Sequence, residues 1–200
     1  TPTLQTIVGW KNLRGIYFYG TVSFPKKGCT LADLRQIESI GFSAKYGLGE
    51  LYKEMLDSCQ HFPNLKSLLL NGYELSAKQY QQVYSLNNLT NLRISFYQTK
   101  ILEQNILGIS SLRNLESLSL TPMEITSRGL AEICELKKLN SRTIHAASKS
   151  DSDWSILAKN RKIKSLTIHL EEEASKSFTK IWEMVQLERI ALYLSNEVPM

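Results

Sequence analysis

A hydrophobic beat that recurs eight times constrains this chain more than any other feature. Set it at Leu13, Ile37, Leu65, Leu89, Leu115, Leu139, Ile163 and Leu187, mostly 24 residues apart. Three residues after each beat stand Ile16, Ile40, Leu68, Leu92, Leu118, Arg142, Leu166 and Ile190. Five after stand Phe18, Phe42, Leu70, Ile94, Leu120, Ile144, Ile168 and Leu192; six before stand Ile7, Leu31, Cys59, Val83, Ile109, Ile133, Leu157 and Ile181. Only Arg142 breaks these columns. A fixed period of this length marks a stack of like units, each burying its apolar face against its neighbours.

Each unit reads in two halves. In Ser117-Leu118-Ser119-Leu120 apolar and small polar residues alternate, the period of a strand with one buried face. From Ile125 to Leu139 the apolar Leu130, Ile133 and Leu136 recur at three-residue steps, as on a helix; Trp154 is the counterpart of Leu130 in the next repeat. In the last repeat Phe178, Ile181, Trp182 and Val185 predict the same buried helical face. Ser76 and Thr126 are placed as helix N-caps, and Ser76 with Gln79 matches a capping box. Glu171, Glu172 and Glu173 stand before the last predicted helix, where its dipole favours negative charge.

The LxxLxL segment, followed by Thr or Ser and an amphipathic helix, resembles the leucine-rich repeat. Leu115 to Leu139, with its Ile-Thr-Ser-Arg-Gly-Leu-Ala-Glu-Ile-Cys-Glu-Leu run, is most similar to the helical subclasses, ribonuclease-inhibitor-like or cysteine-containing-like. The resemblance covers essentially the whole chain. It implies an α/β fold, a right-handed solenoid of about eight repeats with a parallel sheet on the concave side and helices on the convex side. It also implies a module that binds another protein, as in F-box adaptors and intracellular immune receptors. One departure is plain. Where the family often places asparagine, eight residues after the first leucine, this chain has Thr21, Lys45, Tyr73, Tyr97, Met123, Ala147, Glu171 and Ser195, so no asparagine ladder is expected.

Composition limits the alternatives. The longest apolar runs are a few residues, far below the roughly 18 that span a bilayer, so no membrane insertion is expected. Net charge is +5, but the charges are scattered, and the basic group Lys159, Arg161, Lys162 and Lys164 is answered by Glu171 to Glu173. A nucleic-acid binder carries a one-sign stripe with interleaved aromatics, so nucleic acid is not the expected partner. Binding of an anionic surface, nucleic acid or lipid, through basic helix faces is the alternative reading. Cys29, Cys59 and Cys134 are odd in number and lack short pair spacing, which argues against a disulfide framework or zinc site and for an intracellular, cytoplasmic setting. The repeats run over residues 1–200 as a single domain. No polar cap stands at either end, so the chain is read as a piece of a longer protein.

Function is expected on the residues between the inward columns. Four after each beat the row is Tyr17, Gly41, Leu69, Arg93, Ser119, Thr143, Thr167 and Ala191; six after, Tyr19, Ser43, Asn71, Ser95, Thr121, His145, His169 and Tyr193. Aromatics and arginine are the usual anchors of protein interfaces. The candidate partner-binding residues are therefore Tyr17, Tyr19, Leu69, Arg93, Tyr97, His145, His169 and Tyr193. Two aligned histidines fall short of the three ligands a zinc site needs, and no cofactor is called for. No glycine-rich phosphate loop or HExxH is present, and no acid stands on the rows to orient a Ser–His pair, so no enzyme is expected. Spacings of 28 after Ile37 and 26 after Leu89 predict longer loops at 43–49 and 97–101, with Tyr46, Tyr97, Gln98 and Lys100 on a rim. At Arg142 the strand is expected to distort, because an unpaired inward charge is costly.

Overall fold

A strand buried on one face and paired in parallel with the next needs a return connection, and the beat leaves room for one in every repeat. The computed structural model describes residues 10–19, 34–43, 56–72, 74–96, 101–123, 127–146, 151–171 and 179–195. Its strands are β1 (Gly15–Tyr19), β2 (Ser39–Ser43), β3 (Ser67–Gly72), β4 (Asn91–Phe96), β5 (Ser117–Met123), β6 (Ser141–Ala146), β7 (Ser165–Glu171) and β8 (Arg189–Ser195). Each starts two residues after its beat. They form one sheet in chain order, every neighbouring pair parallel. The architecture is mixed α/β around this parallel sheet.

The described connections are helical. Residues 56–59 form a short turn of helix. Next come α1 (Ala77–Tyr84), α2 (Glu103–Ile106), a 3-10 turn at Ile109–Ser111, α3 (Ser127–Cys134), α4 (Asp151–Ala158) and a 3-10 turn at Thr179–Glu183. The capping box at the start of α1 forms as expected. The Gln79 N–H donates to Ser76 Oγ at 3.4 Å, and the Ser76 N–H donates to Gln79 Oε1 at 2.7 Å. Thr126 lies outside the described residues.

The apolar columns make one continuous core. Cys59, Val83, Ile109, Ile133, Leu157 and Ile181 are all buried, as are the beats from Ile37 to Ile163 and the inward residues of β2 to β5 and of β7 in the columns three and five after the beat, whereas Ile190 and Leu192 of β8 are 39% and 41% exposed. Leu130, Leu136 and Trp154 are buried where the helical period places them. Leu13, Ile16, Phe18 and Leu187 are only partly buried, since repeats at the ends of the sheet have one neighbour each. Phe18 stacks on Phe42, ring centroids 5.3 Å apart.

Backbone bonds repeat with the columns. The beat N–H donates to the carbonyl three residues earlier, as in Leu65 to Phe62, Leu89 to Leu86 and Leu115 to Leu112. The carbonyl one residue after the beat accepts two N–H groups from the next repeat. Arg14, Glu38, Lys66, Thr90, Glu116, Asn140 and Lys164 all do so.

A side-chain amide ladder runs beside these bonds, although no asparagine ladder was expected. It sits one residue before the beat, not eight after it. Asn64, Asn88 and Asn114 each donate Nδ2 to the carbonyl two residues before the preceding beat, those of Arg35, Pro63 and Asn87, at 2.9–3.2 Å. Gln36 and Gln186, longer by one methylene, reach one residue further back, to the carbonyls of Trp10 and Asn160. The amides give these turn carbonyls a side-chain donor; the Trp10 carbonyl accepts the Leu13 N–H as well.

Two expectations need correction. The strand does not distort at Arg142, which keeps register between Leu118 and Leu166. The irregularity comes later, where the pairing of β5 with β6 jumps from Leu120–Ile144 to Met123–Ala146. Pro122 falls inside that step and has no N–H to give to the ladder. The described part of the last connection holds a five-residue 3-10 turn, and Trp182 and Val185 do not share a buried face with Ile181: they are 65% and 92% exposed, and Met184 is buried in their stead. Glu171 closes strand β7, and the residues that follow it to 178 lie outside the described residues. Phe178, Glu172 and Glu173 lie outside the described residues.

Candidate partner-binding face

Alternation sends the second, fourth and sixth residues after each beat to the face opposite the core. The strand register lines up the rows read from the sequence. Tyr17, Gly41, Leu69, Arg93, Ser119, Thr143, Thr167 and Ala191 run across all eight strands without a break. Adjacent members sit on strands about 4.8 Å apart.

At the β1 end, Tyr17 and Tyr19 are 49% and 75% exposed. They differ in support. The Tyr17 ring lies across Gly41 of β2, which is buried although its position faces outward. A Cβ on Gly41 would overlap Cδ1 of that ring and stand 2.8 Å from its Cε1. The Tyr17 hydroxyl reaches Ser39 Oγ at 2.6 Å. Tyr17 is thus held flat against the sheet, with one ring face free, while Tyr19 projects from the end of its strand.

In the centre, Leu69 and Arg93 are partners in register on β3 and β4. Leu69 is half-buried and Arg93 exposed. Arg93 makes no ion pair or hydrogen bond among the described residues. Its flanking outward positions are Asn91 and Ser95 on its own strand and Ser119 on the next, all uncharged.

The sixth-position row is partly occupied with itself. Asn71 donates Nδ2 to Ser43 Oγ at 3.2 Å, and Thr121 donates its hydroxyl to Ser95 Oγ at 2.8 Å. These cross-strand bonds explain why small polar residues fill the row. At the far end His169 pairs in register with Tyr193, which is 54% exposed. The register of β6 with β7 ends at Ile144–Ile168, so His145 is not a ladder partner of His169, as the even spacing had suggested. The side chains of His145 and His169 lie outside the described residues, as do all of Tyr97, Tyr46, Gln98 and Lys100.

One feature escaped the sequence reading. The residue after the beat, at the start of each strand, carries charges that pair between repeats: Glu38 contacts Arg14 at 3.7 Å and Lys66 at 3.1 Å, and Lys164 contacts Glu188 at 2.7 Å. Arg189, at the head of β8, is an exposed outward-facing cation. The charged column one after the beat was visible as a polar column once the beat was set.

Chemistry elsewhere is sparse. A depression of about 570 Å³ lies among Cys59, Phe62, Pro63, Leu86 and Asn88, on the turn side of the repeats and not on the sheet face. The Cys59 thiol beside it is pushed up to about 12 by burial, which keeps it protonated and inert. Cys59 and Cys134 are free thiols. Among the described residues no group of three His, Cys, Asp or Glu side chains could hold a metal ion, and no helix is long and apolar enough to cross a membrane.

No family model matches the chain. No curated protein sequence matches it either. Among solved structures it is similar to an internalin from Listeria monocytogenes, at 13% identity and a TM-score of 0.48, over 98% of this chain. The chain spans 66% of that protein's length.

Proposed function

We propose that this chain is a protein-recognition module, a right-handed solenoid of eight leucine-rich-type repeats of the helical subclass, which holds a protein partner against its outward sheet face. One observation carries the reading. The face is an open row of small side chains on which Tyr17, Tyr19, Leu69, Arg93 and Tyr193 stand as exposed or half-exposed anchors at fixed spacing. Aromatic and arginine side chains on a rigid, flat scaffold are what protein interfaces use for affinity, and preset strands lower the entropy cost of using them. In this reading the chain is the recognition part of a larger intracellular adaptor, immune sensor or bacterial effector. The free thiols of Cys59 and Cys134 support the intracellular setting.

The test compares three proteins in affinity capture at low and high salt: the parent chain, a Tyr17→Ala/Tyr19→Ala/Arg93→Ala variant, and a Lys159→Ala/Arg161→Ala/Lys162→Ala variant on the turn side. Capture of a defined protein that survives salt, persists in the turn-side variant and is lost in the sheet-face variant supports the reading. Capture lost only in the turn-side variant and steeply weakened by salt points to anionic-surface binding and overturns it.

A further inference from the structure

We infer that the partner element seated at the centre of the sheet face is acidic, an Asp or Glu placed beside an apolar side chain. The inference rests on the sheet-face reading above and adds to it the chemistry of what binds there.

On the second-, fourth- and sixth-position rows the charge has one sign; Glu171, on the same alternation, closes β7 three strands away from Arg93. Across the three outward rows of all eight strands there is no Asp, Glu or Lys. Besides two histidines, the titratable cations are Arg93 and Arg189 alone. Glu38, Glu116 and Glu188 stand just before the strand starts, and two of them are paired there: Glu38 with Arg14 and Lys66, Glu188 with Lys164. Glu116, on the strand adjoining Arg93, stands three residues back along the sheet, ~10 Å at strand rise. Arg189 has Glu188 beside it. Arg93 is therefore an exposed guanidinium in mid-sheet with no described counter-ion.

Its surroundings select the kind of anion. The planar fork of a guanidinium matches a carboxylate bidentately. Leu69, its register partner, offers an apolar surface on one side. Asn91 and Ser119 offer donors on the other sides. A carboxylate next to an apolar side chain satisfies all of these at once. A nucleic-acid backbone fits poorly, because a phosphate chain is held by several cations along its path and this centre supplies one.

The experiment uses pooled synthetic peptides as the probe: random 12-residue peptides, as one pool with Asp or Glu beside Leu at the centre, a matched pool with Asn or Gln there, and a third with Lys or Arg. A single-stranded RNA oligonucleotide is run alongside. Parent, Arg93→Ala, Arg93→Glu and Tyr17→Ala/Tyr19→Ala proteins are compared, each checked for folding by circular dichroism. The parent is expected to favour the acidic over the amide pool by about tenfold. Arg93→Ala should abolish that preference, and Arg93→Glu should transfer it to the basic pool. Equal binding of acidic and amide pools by the parent, or an acidic preference that survives Arg93→Glu, overturns the inference. If the tyrosine variant still loses binding in that case, the sheet-face reading stands without it. Failure of every pool to bind the parent, or preferential retention of the RNA, also overturns it.

Discussion

Tyr17 lies on Gly41 across the β1–β2 pair, and the absence of a side chain at Gly41 is what lets the ring rest there. The hydroxyl then comes to Ser39 at 2.6 Å. One glycine thus fixes the pose of one exposed aromatic. Gly41→Ala is expected to lift the ring, break the Ser39 bond and destabilise the fold by about 1 kcal/mol, the usual scale of overpacking by one methyl. In a Tyr17→Ala background the same substitution should be neutral or mildly stabilising, because a strand glycine costs entropy. A double-mutant cycle by denaturant unfolding checks this. An unchanged cost in the Tyr17→Ala background would show that the clash lies elsewhere.

The amide ladder makes a second, independent prediction. Asn88 Nδ2 donates to the Pro63 carbonyl at 2.9 Å, and Asn114 Nδ2 to the Asn87 carbonyl at 3.0 Å. Removing either amide leaves a turn carbonyl to solvent alone. Asn88→Ala and Asn114→Ala should each cost about 1 kcal/mol. The urea midpoint should fall with its slope unchanged. Substitution of Asn87, whose carbonyl and not its side chain is used, should cost clearly less.

The sheet register was legible because a constant period turns sequence offsets directly into strand neighbours. Leu69 opposite Arg93 follows from a spacing of 24 with no further information. Ser76 and Gln79 were legible because a capping box is local chemistry. The step near Pro122 was not, since a one-residue shift of pairing depends on both strands. The pose of Tyr17 depends on a rotamer and on the glycine beneath it, and neither is a pattern. Trp182 and Val185 misled because a helical period was carried into a connection that turns as a 3-10 segment, where the buried face holds Ile181 and Met184. The amide column itself stood in plain view at Gln36, Asn64, Asn88, Asn114 and Gln186, but an apolar periodicity does not point to polar residues beside it.

Burial of Cys59 sets a pH limit. Its thiol is pushed up to about 12 from 9.0 by desolvation. Tyr80 and Tyr84 are likewise raised from 10.0, burial being the first cause for both, with Glu74 adding for Tyr80 and the charges of Tyr80 and then Glu132 adding for Tyr84. The folded state therefore keeps protons that the unfolded chain releases. Stability is fully present below pH 9 and declines as pH rises toward the folded value. Between pH 9 and 10 the Cys59 contribution to that decline is about 1 kcal/mol, and above 10 the tyrosines steepen it. Cys59→Ala should be less stable at neutral pH but show a flatter slope between pH 9 and 10. A thiol reagent at pH 8 should label Cys59 only on unfolding. Rapid labelling of Cys59 in the native protein would contradict its burial.

Lys164 and Glu188 occupy equivalent positions on neighbouring repeats, one residue after the beat, and their contact at 2.7 Å tests the strand-start register in solution. The hydrogen bond from Lys164 Nζ holds the Glu188 carboxyl below its ordinary 4.5, aided by the charges of Lys164 and then Arg189. A lowered carboxylate contributes stability that is present above the unfolded value and is lost as pH falls through the folded one. Both partners are well exposed, so the effect on unfolding is expected to be small and screened by salt. The titration itself is the sharper readout. By NMR the Glu188 carboxyl should titrate below 4.5 in the parent, and Lys164→Ala should move it upward, while Lys138→Ala, one repeat away, should leave it in place. A Glu188 midpoint that ignores Lys164 would mean that β7 and β8 do not start in the register described, and with it the alignment of His169 and Tyr193 would fall.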